Sequence, residues 1–412
     1  MSRRATWTAA GAAAVVLGLS FYALISWLEQ GQLSDVPVYV RYSGLIRGGA
    51  VPYRDFKFEY PPAALPALLL PAYMSWSYAT SFAVLMGACG GGCIAAAASA
   101  LRAVDAGAIR TGAALLGIGV SPLLLGSLFD TRFDLWPTLL AFGALVAIVR
   151  RRPVVSGLLL GLGFAAKLWP AVLLPIAVAH LWRRRGRRSA LAVVVAFVAV
   201  AAACFLPFAV LAPDGLRAMF ADQLDRPLQV ESLGAAVLMA GQHLGMRPLA
   251  TIGSHGGQAL SGRGAGLAAD LSTIFEIVSV LAIWVVFARR RTADGESTLL
   301  AAASAVAALV AFDKVLSPQY LIWLAPFVLL VRGGRGVVAG GLLFLALGLT
   351  QTWFPWHYWR LATGHDAPWS WYLLARDLAL VALAGVLALG LSGGGGFARR
   401  RAGSPGARRA AA

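Results

Sequence analysis

Long apolar runs with almost no charge constrain this 412-residue chain more than any other feature. Residues 7–28, 81–101, 111–129, 189–212, 267–288, 337–354 and 371–391 are of this kind. A helix rises about 1.5 Å per residue, so about 20 apolar residues cross the roughly 30 Å of bilayer hydrocarbon. Only a helix or a closed barrel pairs all its peptide groups there, and runs of this length are helical spans. With 59% apolar and 13% charged residues and a mean hydropathy of +0.73, the chain cannot be an ordinary water-soluble globule.

Five further apolar runs, 134–149, 154–166, 168–182, 298–312 and 317–331, are shorter and come mostly in pairs. Residues 154–182 lie between Arg150-Arg151-Arg152 and Arg183-Arg184-Arg185, and arginine-rich flanks mark the cytoplasmic side. The segment must therefore go out and return, with its turn near Lys167. A 13-residue first leg covers only about 20 Å, which leaves that lysine below the outer surface. Asp313 and Lys314 take the equivalent place at the tip of 298–331. The fold expected is an all-α polytopic membrane protein with about twelve membrane helices, several short or broken, and both ends cytoplasmic. Residues 1–392 form one domain with outer loops 29–80, 213–266 and 354–370, and residues 393–412 read as a disordered basic cytoplasmic tail.

Charge sorting tests this arrangement independently. It places most of the 35 Lys and Arg inside: Arg3, Arg4, Arg102, Arg110, the two triplets above, Arg187, Arg188, Arg289 to Arg291, Arg332, Arg335 and the arginines of the tail. Of the 18 acids only Asp105, Asp294 and Glu296 join them. The net charge of +17 is then a topology signal. A pI of 10.8 would otherwise point to nucleic acid, but these charges are scattered over many short turns and no basic domain carries them. The 7–28 run exceeds the apolar core of an ordinary signal peptide and is expected to remain as a span. Cys89 and Cys93 lie four apart beside Gly87, Gly91 and Gly92, a pattern for close helix packing. Residues 63–78 are expected to form an interfacial helix, and Trp353, Trp356, Trp359, Trp369 and Trp371 an interfacial aromatic belt. Asp130, Arg132 and Asp134 read as a structural ion pair at a span boundary.

Polarity collects on the outer side in three places: the loop from Gln32 to Pro62, the segment 213–266, and Asp313 to Tyr320. Four stretches there and beside them carry a resemblance. They are the Asp35 loop with Gly48-x-x-x-Pro52-Tyr53 and Tyr60-Pro61-Pro62, then Phe133-Asp134-Leu135, Lys167-x-x-Pro170, and Lys314-Val-x-Ser317-Pro318-Gln319-Tyr320 with Trp323. In this order and topology the chain resembles the polyprenyl-phosphate-sugar-dependent membrane glycosyltransferases of the C-type superfamily, closest to the glycosyltransferase 87 family of bacterial mannosyltransferases. Asp225 to Ser232 is similar to a further segment common among those relatives. Where mannosyltransferase members carry histidines shortly after the Ser-Pro, this chain has Gln319-Tyr320-Leu321-Ile322-Trp323.

The resemblance implies transfer of one hexose, mannose in the characterised members, from a polyprenyl phosphate carrier to a glycolipid or glycan acceptor at the outer face. Phosphate is already a competent leaving group, so one base and some cations suffice, where glycoside hydrolysis typically uses two carboxylates. Asp35 is the expected base, accepting the proton as an acceptor hydroxyl attacks with inversion. Cations would neutralise charge growing on the leaving phosphate. Lys57, Lys167 and Lys314 are the only lysines, all placed outside or near the outer leaflet. Lys314 ranks first as phosphate ligand, then Lys167, with Arg54 and Arg226 behind, and Glu59, Tyr60, Gln229, Glu231, Gln319 and Tyr320 join them as substrate-binding positions. No metal site and no cofactor is expected; the partners are the carrier-linked sugar, the acceptor and membrane lipid. Against this stand solvated-loop readings of Asp35 and Glu231, snorkelling readings of the lysines, and two other functions. A transporter or flippase of lipid-linked sugars would use broken helices and buried cations, but internal repeats and polar inner-leaflet positions are missing. A membrane scaffold would not need the dense outer motifs.

A reporter fused after Arg152 or Arg188 is expected to behave as cytoplasmic and one inserted near Gly256 as extracytoplasmic. Extracytoplasmic behaviour at Arg188 would overturn the paired short helices.

Overall fold

The computed structural model describes residues 1–27, 33–246, 248–290 and 293–392. The basic tail expected at 393–412 and the start of the first outer loop lie outside the described residues. The chain is built of helices α1 (Arg3–Trp27), α2 (Val36–Arg47), α3 (Leu65–Leu69), α4 (Tyr78–Ala103), α5 (Ala108–Leu125), α6 (Leu128–Thr131), α7 (Leu135–Val149), α8 (Pro153–Ala166), α9 (Leu174–Arg185), α10 (Arg187–Leu211), α11 (Pro213–Leu224) and α12 (Leu233–His243). A hairpin of strands β1 (Ala250–Ser254) and β2 (Gly257–Ser261) follows, then α13 (Ala265–Arg289), α14 (Gly295–Phe312), α15 (Leu321–Val328), α16 (Gly333–Trp353), α17 (Tyr358–Ala362) and α18 (Ala367–Ser392). Among the described residues eight helices are long and apolar enough to cross a membrane: α1, α4, α5, α10, α13, α14, α16 and α18. This is an all-α polytopic membrane protein.

Each apolar run in the sequence is helical over most of its length. The seven long runs became seven long helices, and 298–312 extends at its start through the Asp294 cap, whose carboxylate accepts from the Ser297 amide at 2.8 Å, into an eighth. The breaks fall where proline or an extended residue interrupts the hydrogen-bond ladder. Lys167 itself is extended (φ −159°, ψ 135°) between α8 and a 3₁₀ turn at Trp169–Leu173 that feeds α9. Pro318–Tyr320 does the same before α15.

The first outer loop departs from expectation, since α2 occupies twelve residues read as loop, started by Pro37 in its first turn. The interfacial helix expected at 63–78 is a broken path instead: 3₁₀ at Pro62–Ala64, the single turn α3, then 3₁₀ again at Leu70–Tyr73. Pro62, Pro66 and Pro71 remove donors too often for one continuous helix. The β hairpin inside 213–266 was also unforeseen. It pairs Ala250 with Ser261 through Ser254 with Gly257 and turns on His255 and Gly256, both at positive φ.

The arginine-rich turns meet at one end of the bundle. Arg110 clamps Glu296 with 2.5 and 2.9 Å bonds, Arg185 donates to the Arg151 carbonyl (2.7 Å), Arg184 to Ala293 (2.6 Å), and Arg290 to Leu391. Lys167, Asp35 and the 3₁₀ turn before α15 gather at the opposite end. Helix α8 packs on α10 through a Gly157-x-x-x-Gly161 stripe, an arrangement by which small residues bring membrane helices close. A Cβ on Gly157 would run into the Val193 carbonyl, and one on Gly161 would come within 2.6 Å of the Phe197 carbonyl.

Because backbone cannot yield as a side chain can, Gly157→Ala and Gly161→Ala should each destabilise by roughly 1–3 kcal/mol, as overpacking does. Gly91→Ala on α4, with nothing within 4 Å, should be neutral or slightly stabilising. Thermal unfolding in detergent checks the pair of signs.

Candidate active site

Asp35 caps α2 without bonding its amides, which leaves the carboxylate turned to side chains. It forms an ion pair with Arg132, and Tyr39 Oη donates to its Oδ2 at 3.4 Å. Arg132 sits on the extended residue that ends α6, buried to 8% exposure, and its Nη2 also donates to the Leu33 carbonyl at 2.6 Å. Two residues later Asp134 starts α7. It is 1% exposed, and one oxygen takes both Lys167 Nζ and Trp323 Nε1 at 2.7 Å. The structural ion pair read within 130–134 is thus two pairs to distant partners: Arg132 with Asp35, and Asp134 with Lys167.

Lys167 is further boxed by ring faces. Its Nζ lies 5.2 Å from the Phe133 centroid, 5.1 Å from Tyr320 and 5.2 Å from Trp323. Tyr320 stacks on Trp323 at 4.1 Å and Trp169 stacks on its other side at 4.8 Å. Tyr60 packs edge-on against Phe133 (4.8 Å), joining the first loop to this wall. With its charge matched by Asp134, Lys167 is a less available phosphate ligand than its sequence position implies. It ties α7, the α8–α9 break and α15 together.

Lys314 and Arg226 are differently placed. Lys314 Nζ donates to the Leu224 carbonyl at 3.0 Å, and Arg226 Nη2 to the His255 carbonyl at 3.2 Å; among the described residues neither forms a direct ion pair, although Glu59 feels the charge of Arg226 and Glu276 and Asp313 that of Lys314. Backbone bonds hold the surrounding chain: Gln229 N donates to the Lys314 carbonyl (2.9 Å), Val230 N to Gln258, and Leu260 N to Leu228. Asp313 feels the charges of Arg226, Lys314 and Lys167 together, so the three cations share one neighbourhood. Gln319 is taken up locally, its Oε1 accepting from Ser317 Oγ at 2.6 Å.

Beside this group lies an open cleft lined by Lys57, Glu59, Met219, Asp222, Gln223, Arg226 and His255. Lys57 pairs with Asp222 at 2.6 Å, and that bond holds the Asp222 carboxyl below its ordinary range. Burial pushes Glu59 up. Arg54, half exposed and paired with Asp55 at 2.9 Å, lines the adjoining cavity, which shares Lys57, Met219 and Asp222 with this cleft.

Glu231 does not face the cleft. It is 2% exposed with Tyr358 and Gln229 beside it, and burial lifts its carboxyl to about 7. Its backbone carbonyl accepts from Arg376 Nη2 at 2.6 Å, and Arg376 contacts Asp377 at 2.8 Å, both fully buried on α18. The Arg376 guanidinium covers the Trp353 ring at 5.6 Å. Trp353 is accordingly core and not part of an interfacial belt, whereas Trp356, Trp359 and Trp371 remain exposed. Sequence reasoning passed over Arg376 and Asp377, although adjacent opposite charges inside an apolar run are a signal in themselves. Among the described residues no three His, Cys, Asp or Glu side chains gather as metal ligands would.

The family model of glycosyltransferase family 87 matches residues 58–318, well over half of the chain. The chain belongs to glycosyltransferase family 87. It is therefore a membrane glycosyltransferase, and the matched stretch of family 87 includes Lys167, Arg226, Glu231 and Lys314, while Asp35 and the Arg376-Asp377 pair lie outside it. No curated protein matches the chain.

Removing one partner of a buried ion pair strands the other, which typically costs 3–5 kcal/mol. Lys167→Met should therefore lower stability by about 3 kcal/mol, and Asp134→Asn in the same chain should restore part of it. Unfolding midpoints of the two single variants and the double variant in detergent measure the coupling.

Proposed function

We propose that this family 87 glycosyltransferase moves one hexose from a polyprenyl phosphate carrier to a hydroxyl of a glycolipid or glycan at the outer face of the membrane, with Asp35 as general base. The observation that carries the reading is the juxtaposition at one end of the bundle: a carboxylate oriented by Arg132 and Tyr39, and two cations, Lys314 and Arg226, that donate to carbonyls and form no direct ion pair among the described residues.

In the reaction the acceptor oxygen bonds to the anomeric carbon while the bond from that carbon to the phosphate oxygen breaks. The acceptor proton passes to Asp35 and polyprenyl phosphate leaves with both electrons of the broken bond. Attack from the face opposite the phosphate inverts the anomeric centre. Lys314 and Arg226 would meet the second negative charge that develops on the phosphate, which counts for most where water is scarce. Lys167 acts as a positioning residue through Asp134 and Trp323. Arg132 sets the direction of the Asp35 carboxylate, and its ion pair must loosen as the carboxylate takes up the proton. Tyr60, Gln229, Glu231, Gln319 and Tyr320 shape the walls and loops, and Arg54 lines a cavity that shares Lys57, Met219 and Asp222 with the cleft. Mannose is the sugar implied by the family's characterised members. The arginine-rich opposite end supports the outward orientation through the charge rule.

Asp35→Asn keeps shape and loses the proton acceptor, so transfer should fall by about 10²- to 10⁴-fold with carrier binding retained. Lys314→Ala should lose a charge-assisted contact of roughly 1.5–3 kcal/mol, at least tenfold in rate. The assay is transfer from undecaprenyl phosphate hexose in liposomes, beside a carrier-binding measurement. Near-normal transfer by Asp35→Asn excludes it as the base, and carrier crossing the bilayer with no new glycosidic bond would favour a transporter.

A further inference from the structure

The two turns that flank the α8–α9 pair hold eight exposed arginines, the Arg150 to Arg152 triplet before α8 and the five between Arg183 and Arg188 that join α9 to α10. The turns touch, since Arg185 Nη1 donates to the Arg151 carbonyl at 2.7 Å. No Asp or Glu occurs between Asp134 and Asp214, and among the described residues none of the eight arginines forms an ion pair. The acids of this end are used elsewhere or stand apart: Glu296 is clamped by Arg110, Asp294 accepts from the Ser297 amide, and Asp105 pairs with no cation. Arg150, Arg183, Arg184 and Arg185 each donate to one carbonyl. A guanidinium has five donors, so most of the donors in this cluster are unspent.

Helix polarity makes part of this arrangement unfavourable by itself. A helix N-terminus carries partial positive charge and favours anions, whereas cations suit a C-terminus. Arg183, Arg184 and Arg185 close α9 and are well placed. Arg152, however, is the N-cap of α8, and Arg187 and Arg188 are the first two residues of α10. No side chain caps either N-terminus. The sorting of arginine to one face of a membrane accounts for charge at this end of the bundle, but it does not require that charge on two uncapped N-termini. A phosphate at each would turn the repulsion into attraction, through free amides and guanidinium forks together.

Apolar surface leads away from the same place. From the arginine turns α8 and α10 run side by side, packed along the Gly157-x-x-x-Gly161 stripe, and Val155 and Leu158 on one and Leu191 and Val195 on the other are exposed. Trp182, 55% exposed, stands three residues before Arg185 and so on the same face of α9. An exposed tryptophan beside arginines is the usual furnishing of a membrane–water interface.

We infer that these two turns hold the head group of a lipid with two phosphates, a cardiolipin, one phosphate at the N-terminus of α8 and the other at that of α10, with its chains against the exposed faces of both helices. Basic recesses between membrane helices are suited to such head groups. The inference is independent of Asp35 and of the sugar chemistry.

The test uses the full chain, delipidated in dodecyl maltoside, with tetraoleoyl cardiolipin, dioleoyl phosphatidylglycerol and dioleoyl phosphatidylcholine added in turn and counted by native mass spectrometry. One cardiolipin is expected to bind at least tenfold more tightly than either lipid with a single phosphate. The triple variant Arg152→Gln, Arg187→Gln, Arg188→Gln should weaken it tenfold or more. These three side chains make no hydrogen bond or ion pair among the described residues, and the double variant Arg187→Gln, Arg188→Gln, expected to act in the same direction, serves if the triple variant folds poorly. Arg3→Gln with Arg4→Gln, in the first turn of α1 at the same end, should leave cardiolipin binding within twofold of wild type. Equal binding of phosphatidylglycerol, or an equal loss in the α1 variant, would reduce the cluster to unspecific attraction and overturn the assignment. Release of cardiolipin by an equal concentration of inorganic pyrophosphate would overturn it in favour of a soluble anion.

Discussion

A carboxylate removed from water costs several kcal/mol unless a partner and hydrogen bonds replace its hydration, and Asp134 meets that demand by recruiting from two distant parts of the chain. Lys167 reaches it from the break between α8 and α9, and Trp323 from the start of α15. Both broken helices are thereby fixed to the N-terminus of α7. The ring stack of Trp169, Trp323 and Tyr320 then has only one place to lie, over the Lys167 ammonium. Arg132, two residues before Asp134, is carried into reach of Asp35 by the same anchoring. The geometry of the site end follows from one buried charge and its partners.

Helices were legible in the sequence because the bilayer leaves few alternatives. Residues 154–182 could be read as two legs with Lys167 at the turn, since triplets of arginine at both flanks and a 13-residue first leg admit no other path. The extended backbone at Lys167 is the structural form of that turn. Partners were not legible. Asp134 and Lys167 are 33 residues apart, Asp134 and Trp323 are 189 apart, and local spacing says nothing about such pairs. For that reason Lys167 read as a free cation and the 130–134 charges as a local pair. The same limit hid Arg376, whose contact with the Glu231 carbonyl spans 145 positions. In the first loop the prolines at 62, 66 and 71 were visible, yet an interfacial helix was expected through them; the 3₁₀ turns show the local rule prevailing.

Charge is divided between the ends of the bundle by kind as well as by number. At one end guanidinium groups bond carbonyls of neighbouring turns, as Arg184 does with Ala293 and Arg185 with Arg151, which suits a planar group with five donors. At the other end the lysines stand among carboxylates, rings and carbonyls. An ammonium is a compact charge that can be held by one oxygen and face a ligand with its remaining hydrogens, and Lys314, bonded to a single carbonyl, has that freedom. Family 87 membership gives this asymmetry a chemical setting, a membrane enzyme whose substrates bring a sugar.

The segment from Asp225 to Ser232 is moored by its main chain as well as by the buried side chains of Leu228 and Val230. Gln229 donates to the Lys314 carbonyl, Val230 and Leu228 bond the hairpin, and the Glu231 carbonyl is gripped by Arg376. Main-chain moorings do not depend on which side chains the segment displays. A side chain such as that of Gln229 can therefore be exchanged by mutation while the path beneath it stays put, on a frame that α18 helps to hold through Arg376.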